Sequence, residues 1–212
     1  ACSAGPLKTM RSSTVVVTGI GATTPLGGDV PASWARLLAG ESGVRELAQP
    51  WAPELDVRIA GQLAVEPVEV LGTNRCRRLD RAQQAAVVAA REAWRWAGEP
   101  EVGPERLAVA VGAGIGGVAT VIAQDEIRRG KGQRMMSPYA MPMLLPNGAA
   151  SAVALEGRAR AGTFAPAGAC ASGAEAMVLG AALIAAGQAD VAGGGGAGAP
   201  VGPGGVAALE RW

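Results

Sequence analysis

The segment 172–187 constrains the fold most, because it is small and apolar on every side of the helix that it would form. It carries one charged residue, Glu175. A helix without a polar face is normally buried in the middle of a protein. Aromatic residues make up only 3% of the chain, whereas 32 of its 212 residues are glycine. The core must therefore be packed from Ala, Val, Leu and Gly, whose small side chains let helices and sheets stack closely.

Strand-like and helix-like patterns alternate along the rest of the chain. Runs rich in β-branched residues predict strands over 13–20, 57–63, 107–111 and 163–166, and a last strand that begins at Asp190 and dissolves into the glycine-rich run 193–205. Helical patterns cover 30–38, 80–97, 146–156 and 172–187, and another helix ends near Arg129. This alternation predicts an α/β layered fold. Residues 1–13 are interpreted as an N-terminal extension, and residues 14–212 as one domain.

Charge and composition exclude several classes of function. With 19 basic and 18 acidic residues the net charge is +1, which does not support nucleic-acid binding. No stretch approaches the roughly 20 apolar residues of a membrane helix. The chain has no histidine, which removes histidine-dependent triads and histidine-ligated metal sites. Its three cysteines, Cys2, Cys76 and Cys170, have no metal-binding spacing, so we expect no metal site. Their odd number fits a reducing cytoplasm. We also expect no cofactor.

Cys170 is the best candidate for chemistry. It lies in the turn Gly-Ala-Cys-Ala-Ser-Gly, between a predicted strand and the apolar helix. At a helix N-terminus the positive end of the macrodipole and the unpaired backbone N–H groups favour a thiolate. The tip of a central helix can also aim a nucleophile into a closed pocket. The alternative is a free cysteine that serves only as a small hydrophobe in a glycine-rich turn.

Two further patterns have both a functional and an ordinary interpretation. Gly112, Gly114 and Gly117 match the dinucleotide fingerprint, but the acidic residue that should end a second strand about 20 residues later is missing. We therefore expect these glycines to let the chain pass close to another backbone. Basic residues cluster at 75–81 and 128–134, either as a solvated surface or as a surface that steers an acidic partner. Cys76 lies among the first cluster, which would lower its pKa.

A series of motifs, taken in order, resembles the N-terminal half of the β-ketoacyl-acyl carrier protein synthases, the condensing enzymes of the thiolase superfamily. The motifs are VVVTGIGATTPLG, SWARLLAGESGV, RRLDRAQQAAVVAAREAW, VGAGIGG, the Ser137-Pro138 loop, LLPNGAA, GACASGAEA and ADVAGGG. Each is weak alone, but the ordered set is specific. The resemblance implies a thiolase-like fold, with one α/β/α half that contains a mixed sheet and a buried central helix. The LLPNGAA motif is most similar to bacterial type II synthases that elongate long acyl chains.

The resemblance also implies an activity. That activity is 3-oxoacyl-[acyl-carrier-protein] synthase of long-chain fatty-acid biosynthesis, an acyltransferase that runs a decarboxylative Claisen condensation through an acyl-cysteine. Cys170 matches the catalytic nucleophile, and its backbone N–H matches one half of the oxyanion hole. Ile115 matches a gate of the acyl pocket beside the cysteine. Ala140 and Met141 match a loop that lines that pocket across a dimer interface.

The basic clusters take a role from the same resemblance. Arg77, Arg78 and Arg134 match positions that dock the acidic acyl carrier protein. Carrier protein is therefore one expected partner, and a second copy of the chain or another synthase chain is the other.

The C-terminal half of the family's fold is expected to be absent. Two histidines and a lysine in that half drive malonyl decarboxylation, whereas this chain reaches Trp212 without a histidine. We expect an acyl-accepting half that cannot condense alone. The alternatives are a non-catalytic pseudoenzyme or scaffold that binds carrier protein or an intact synthase, and a fragment of a polyketide ketosynthase. A lone half would also expose its apolar helix, which predicts poor solubility or a need for a partner.

Overall fold

The fold is known from a computed structural model that describes residues 14–211. The predicted N-terminal extension, 1–13, lies outside these residues. The helices of the described chain are α1 (Val30–Leu38), α2 (Pro67–Leu71), α3 (Thr73–Cys76), α4 (Arg81–Trp96), α5 (Val118–Lys131), α6 (Ala140–Leu144), α7 (Gly148–Gly157), α8 (Ser172–Ala185) and α9 (Pro203–Glu210). The strands are β1 (Val44–Glu46), β2 (Ile59–Gly61), β3 (Leu107–Gly112), β4 (Gly162–Phe164) and β5 (Val191–Gly196).

The strands form two separate sheets of opposite kinds. β3 lies between β4 and β5 and pairs parallel with both, so that Val109 is opposite Thr163 on one side and Gly193 on the other. β1 and β2 form an antiparallel pair. The parallel pairs are joined through helices, because a parallel connection needs a crossover. The resemblance implied both parallel and antiparallel strand pairing, and both are present, each in its own sheet.

Helices cover both faces of the parallel sheet. Ala108 of β3 packs in a cluster with Leu183 of α8, whereas Val109 belongs to the opposite cluster with residues of α4 and α7. Alternate residues of a strand point to opposite faces, so α8 lies on one side of β3 and α4 and α7 on the other. This arrangement confirms the predicted α/β/α layering. The core is built of small side chains, since Val87 and Pro67 are the largest fully buried residues of the described chain.

Most predicted elements form with shifted ends. α1 has the predicted bounds, and α4 begins as expected after Asp80, which caps the helix while Gln83 completes the reciprocal capping box. The strand predicted over 57–63 shortens to β2, and the helix predicted from residue 146 begins two residues later, as α7. The interval 41–78, predicted to be irregular apart from that strand, also contains β1, α2 and α3.

The strand predicted over 13–20 is wrong for the residues that the structure describes. Residues 14–20 form no strand ladder. They run along α4 instead, so close that a Cβ at Gly19 would overlap the carbonyl oxygen of Ala93, and one at Gly21 that of Ala89. Strand formation requires a hydrogen-bonding partner as well as β-branched residues, and this segment has a helix as its neighbour.

The glycine run after Asp190 also departs from expectation. It does not dissolve, because β5 continues to Gly196 in register with Gly112 of β3. The parallel ladder supplies the hydrogen bonds, and the missing side chains let α8 approach. A Cβ at Gly194 would lie 3.3 Å from the Cα of Met177.

The central helix is buried on one face only. Ala176, Gly180 and Leu183 of α8 are buried against the sheet, but Met177 and Val178 are 57% and 71% exposed. No helix of residues 14–211 is both long and apolar enough to cross a membrane. The exposed apolar face of α8, with Met177 and Val178, is of the kind that another protein normally covers.

We therefore expect the isolated chain to self-associate. Sedimentation velocity across micromolar concentrations should give a concentration-dependent mixture of larger species, because burying Met177 and Val178 removes apolar area from water. The double variant Met177→Glu/Val178→Lys should shift that mixture toward monomer. A monodisperse wild-type monomer at all concentrations would contradict the expectation.

Candidate functional site

Cys170 lies at the tip of the central helix. It belongs to a single 3-10 turn, Ala169–Ala171, that leads directly into α8. Ala169 has a φ of 49°, a left-handed conformation that costs an L-residue about 1–2 kcal/mol. The buried Ser172 hydroxyl donates a 2.6 Å hydrogen bond to the carbonyl of Ala169 and holds this turn closed. The result is an elbow, defined here as residues 168–172, that presents an exposed thiol.

The elbow and the start of α8 pack against the carboxyl ends of β3 and β5. A Cβ at Gly112 would overlap the carbonyl of Ser172, and Gly173 approaches Gly196 so closely that a Cβ there would lie 3.3 Å from its Cα. Only glycine allows two backbones to meet at such a distance. Functional groups of open parallel sheets lie at this edge, outside the carboxyl ends of the strands.

Ile115 lies in the loop between β3 and α5, which contacts the elbow on one side and α6 on the other. On the elbow side, a Cβ at Gly114 would lie 3.7 Å from the carbonyl oxygen of Ala169. On the other side, Gly117 donates a 3.2 Å hydrogen bond to the carbonyl of Leu144. The Ile115 side chain is 56% exposed between these contacts. The glycines thus provide the close backbone approach that the sequence predicted.

The loop with Ala140 and Met141 is a short helix, α6. Gln83 fastens its end to α4, since the amide nitrogen donates to the carbonyls of Pro142 and Met143 at 2.9 and 3.2 Å. Ala140 is half-buried, and Met141 is 64% exposed. The loop 113–117, which carries Ile115, thus contacts both the elbow and the end of the helix that carries Ala140 and Met141.

One of the three predicted docking arginines, Arg78, contacts the residue that precedes α6. The guanidinium of Arg78 lies over the ring of Tyr139, 5.4 Å from its centroid, immediately before α6. Arg77 and Arg134 are exposed, and neither forms an ion pair within residues 14–211. Other members of the basic clusters are neutralised by acidic side chains. These are Arg75 with Glu156, Arg81 with Glu66, and Arg128 and Arg129 with Asp125.

A family model, that of the beta-ketoacyl synthase N-terminal domain, matches residues 12–212. The chain belongs to the β-ketoacyl synthase family. It is 41% identical over 180 residues to 3-oxoacyl-[acyl-carrier-protein] synthase 2 of Mycobacterium bovis, a match that covers 84% of this chain and 43% of that protein. The chain spans about half the length of the curated relatives that it matches.

Solved ketosynthases share the fold. The ishigamide ketosynthase/chain length factor superposes with a TM-score of 0.73 at 26% identity, over 85% of this chain and 46% of that one. A type II polyketide ketosynthase, solved in complex with its acyl carrier protein, superposes with a TM-score of 0.72 at 21% identity, over 92% of this chain and 52% of that one. These likenesses confirm the thiolase-like architecture.

The expectation for Cys76 of this β-ketoacyl synthase chain is wrong. Desolvation by partial burial raises the pKa of the Cys76 thiol, although arginines lie next to it in the sequence. One neighbour, Arg75, forms an ion pair with Glu156, so its charge is largely compensated. A raised pKa makes Cys76 a poor nucleophile at neutral pH.

Asp80 has a wider role than the sequence indicated. Its carboxylate caps α4 through the N–H of Ala82, as predicted, but it also accepts a 2.6 Å hydrogen bond from the Thr120 hydroxyl of α5. Asp80 and Gln83 together therefore connect α4 to α5 and α6. The capping-box spacing predicts the local bonds, whereas a partner 40 residues away leaves no local signal.

A cavity of about 410 Å³ lies away from the elbow. It is lined by residues of α1, the preceding loop and the β1–β2 pair, including Trp34, Leu37 and Pro25, and almost no polar atom faces it. The described residues also place no group of three or more acidic, cysteine or histidine side chains to hold a metal ion.

Proposed function

We propose that the protein works as a 3-oxoacyl-[acyl-carrier-protein] synthase in which Cys170 receives the acyl chain. The observation that carries the proposal is the elbow, which presents an exposed thiol at the start of α8, beside the carboxyl ends of parallel strands. The thiolate attacks the carbonyl carbon of an acyl thioester. A carbon–sulfur bond forms to Cys170, the bond to the carrier's sulfur breaks, and the carrier thiolate takes a proton from water.

The backbone around the elbow supports this step. The N–H of Cys170 is the donor proposed to stabilise the oxyanion that develops on the carbonyl oxygen. Such a donor must be fixed in place before the reaction, and the bond from Ser172 to Ala169 fixes the turn in which it lies. Ile115 is proposed as the gate of the acyl pocket, and Ala140 and Met141 as part of its lining.

Fatty-acid synthesis is the proposed pathway, with a polyketide ketosynthase as the alternative. The relative at 41% identity bears the name 3-oxoacyl-[acyl-carrier-protein] synthase 2, and the LLPNGAA motif resembles bacterial type II synthases that elongate long acyl chains. The polyketide alternative has its support in the fold shared with the type II polyketide ketosynthase. We propose a cytoplasmic location, in keeping with Cys76 and Cys170, which form no disulfide among the described residues.

A second synthase chain is the proposed partner for the exposed apolar surfaces. Met141 projects from α6, and Met177 and Val178 from α8, all more than half exposed. The partner is a second copy or another synthase chain. Either would help to complete the pocket beside Cys170, but only another synthase chain could supply the groups for malonyl decarboxylation, because a second copy of this chain also has no histidine.

Acyl carrier protein is proposed to dock on Arg77, Arg78 and Arg134. Other arginines of the same clusters are committed to internal carboxylates, but these three have no ion-pair partner within the described residues. Arg78 also lies next to Tyr139, at the start of the helix with Ala140 and Met141. An acidic carrier bound at Arg78 would lie beside α6, whose last residue bonds to the loop that contacts the elbow.

Charge reversal at the three arginines tests the proposed function. In the variant Arg77→Glu/Arg78→Glu/Arg134→Glu, acyl transfer from acyl carrier protein to Cys170 should require about 10-fold to 100-fold more carrier, since each rim charge contributes about 0.5–1 kcal/mol. Transfer from a small acyl pantetheine thioester should be unchanged. The matched control is Arg45→Glu/Arg95→Glu/Arg158→Glu, with the same change of charge elsewhere. Intact-protein mass spectrometry measures the adduct.

Two outcomes would contradict the proposal. Equal loss with carrier protein and with the pantetheine thioester would remove the docking role. Binding of carrier protein without any acyl adduct on wild-type Cys170 would favour the non-catalytic scaffold.

A further inference from the structure

The carboxylate of Glu175 lies directly against the elbow. Glu175 is in the first turn of α8, and its three carboxyl atoms occupy the space that a Cβ at Gly168 would need. The carboxylate therefore contacts the backbone two residues before Cys170. The Cα atoms of Gly168 and Cys170 are at most about 7 Å apart, because each residue spans at most about 3.6 Å.

Glu175 is also the only charged residue in the segments that surround the elbow. The chain after β3 (113–117), after β4 (165–171) and after β5 (197–202) contains no ionisable residue except Cys170 itself. α8 contributes Glu175 alone. On the α6 side, the carboxylate of Asp80 lies against Gly117, where it accepts a hydrogen bond from the hydroxyl of Thr120, and Arg78 lies over Tyr139. An exposed charge acts over the Debye length of about 8–10 Å, which is comparable with the spacing of Gly168 and Cys170.

We propose that Glu175 is a positioning and specificity residue, whose carboxylate packs on Gly168 to hold the elbow and disfavours anionic acyl groups at Cys170. The proposal rests on the acyl-accepting function. In that function two thioesters reach one site, a neutral acyl chain that must load onto Cys170 and an anionic malonyl group that must not. A negative charge beside the thiol separates the two by repulsion, and glycine at position 168 leaves room for the exposed Glu175 carboxylate.

Alkylation with a neutral and an anionic reagent tests the charge effect without a carrier protein. Iodoacetamide and iodoacetate both alkylate the thiolate with loss of iodide, and they differ in that iodoacetate is negatively charged. The ratio of their rates at Cys170 cancels any change in thiol ionisation. Glu175→Gln should raise the iodoacetate rate relative to the iodoacetamide rate by about twofold, the effect of one unit charge about 8 Å away in a largely aqueous medium. Peptide mass spectrometry assigns the label to each cysteine.

Two variants complete the test. Glu101→Gln removes one exposed carboxylate from the loop before β3, at the opposite edge of the sheet, and should leave the ratio at Cys170 unchanged. Gly168→Ala should displace the carboxylate and slow iodoacetamide labelling of Cys170. The double variant Gly168→Ala/Glu175→Ala should restore the rate of iodoacetamide labelling, because it removes the carboxylate that the Cβ at position 168 would overlap.

Each result separates this proposal from the proposed function. Wild-type Cys170 that reacts no faster than Cys76 would contradict the acyl-accepting function itself. Fast wild-type labelling with the same reagent ratio in Glu175→Gln would overturn the specificity role alone. Failure of Glu175→Ala to rescue Gly168→Ala would overturn the positioning role, with circular dichroism used to confirm that both variants are folded.

Discussion

Cys170→Ser should form no acyl adduct with acyl carrier protein, a loss of about 10³-fold or more. A serine hydroxyl needs a general base to become a nucleophile, and this chain has no histidine to supply one. Cysteine depends less than serine on a general base, because a thiolate forms far more readily than an alkoxide. Intact-protein mass spectrometry after incubation with acyl carrier protein, followed by release with hydroxylamine, measures the thioester.

Cys76→Ser is the matched control for this loss. It should keep the wild-type adduct, because desolvation raises the pKa of the Cys76 thiol and leaves little thiolate at neutral pH. An adduct of equal yield in Cys170→Ser would show that another group accepts the acyl chain. With malonyl carrier protein added, wild-type chain should retain its acyl-cysteine and release no 3-oxoacyl product. Product from the purified chain alone would contradict the need for a partner.

Asp80→Ala should lower the free energy of unfolding by about 3 kcal/mol. The side chain is buried, caps α4 through the N–H of Ala82, and accepts a 2.6 Å bond from the Thr120 hydroxyl. Loss of an N-cap costs about 1 kcal/mol, and loss of a bond to a charged acceptor about 1.5–3 kcal/mol. Urea denaturation, followed by circular dichroism at several protein concentrations, measures the change.

Two variants define what this loss means. Asp29→Ala also removes an N-cap, since Asp29 accepts from the N–H of Ala32, but this exposed residue has no second partner of the Thr120 kind. It should cost only about 1 kcal/mol. Asp80→Asn keeps a capping oxygen and an amide that can reach Thr120, so it should recover most of the stability. Equal losses in Asp80→Ala and Asp29→Ala would mean that the bond to Thr120 contributes nothing.

The elements that were predicted well are those whose causes are local. α1 and α4 have caps and stop residues within a few positions of their ends, and both form with the expected bounds or within one residue. β3 is a run of small apolar residues buried along its whole length, as a central parallel strand should be. The prediction over 13–20 failed because β-branched residues do not reveal whether a neighbour will be a strand or a helix.

The amino-acid sequence by itself determined the layered α/β fold, the small-residue core, the family and the turn that contains Cys170. These follow from periodicity, composition and short motifs, which act between residues close together in the chain. Tertiary structure decided which arginines remain without acidic partners, how Asp80 connects α4 to α5, and where the carboxylate of Glu175 rests against Gly168. Such contacts join residues that are distant in the chain or aligned by a turn, and their geometry exists only once the layers have packed.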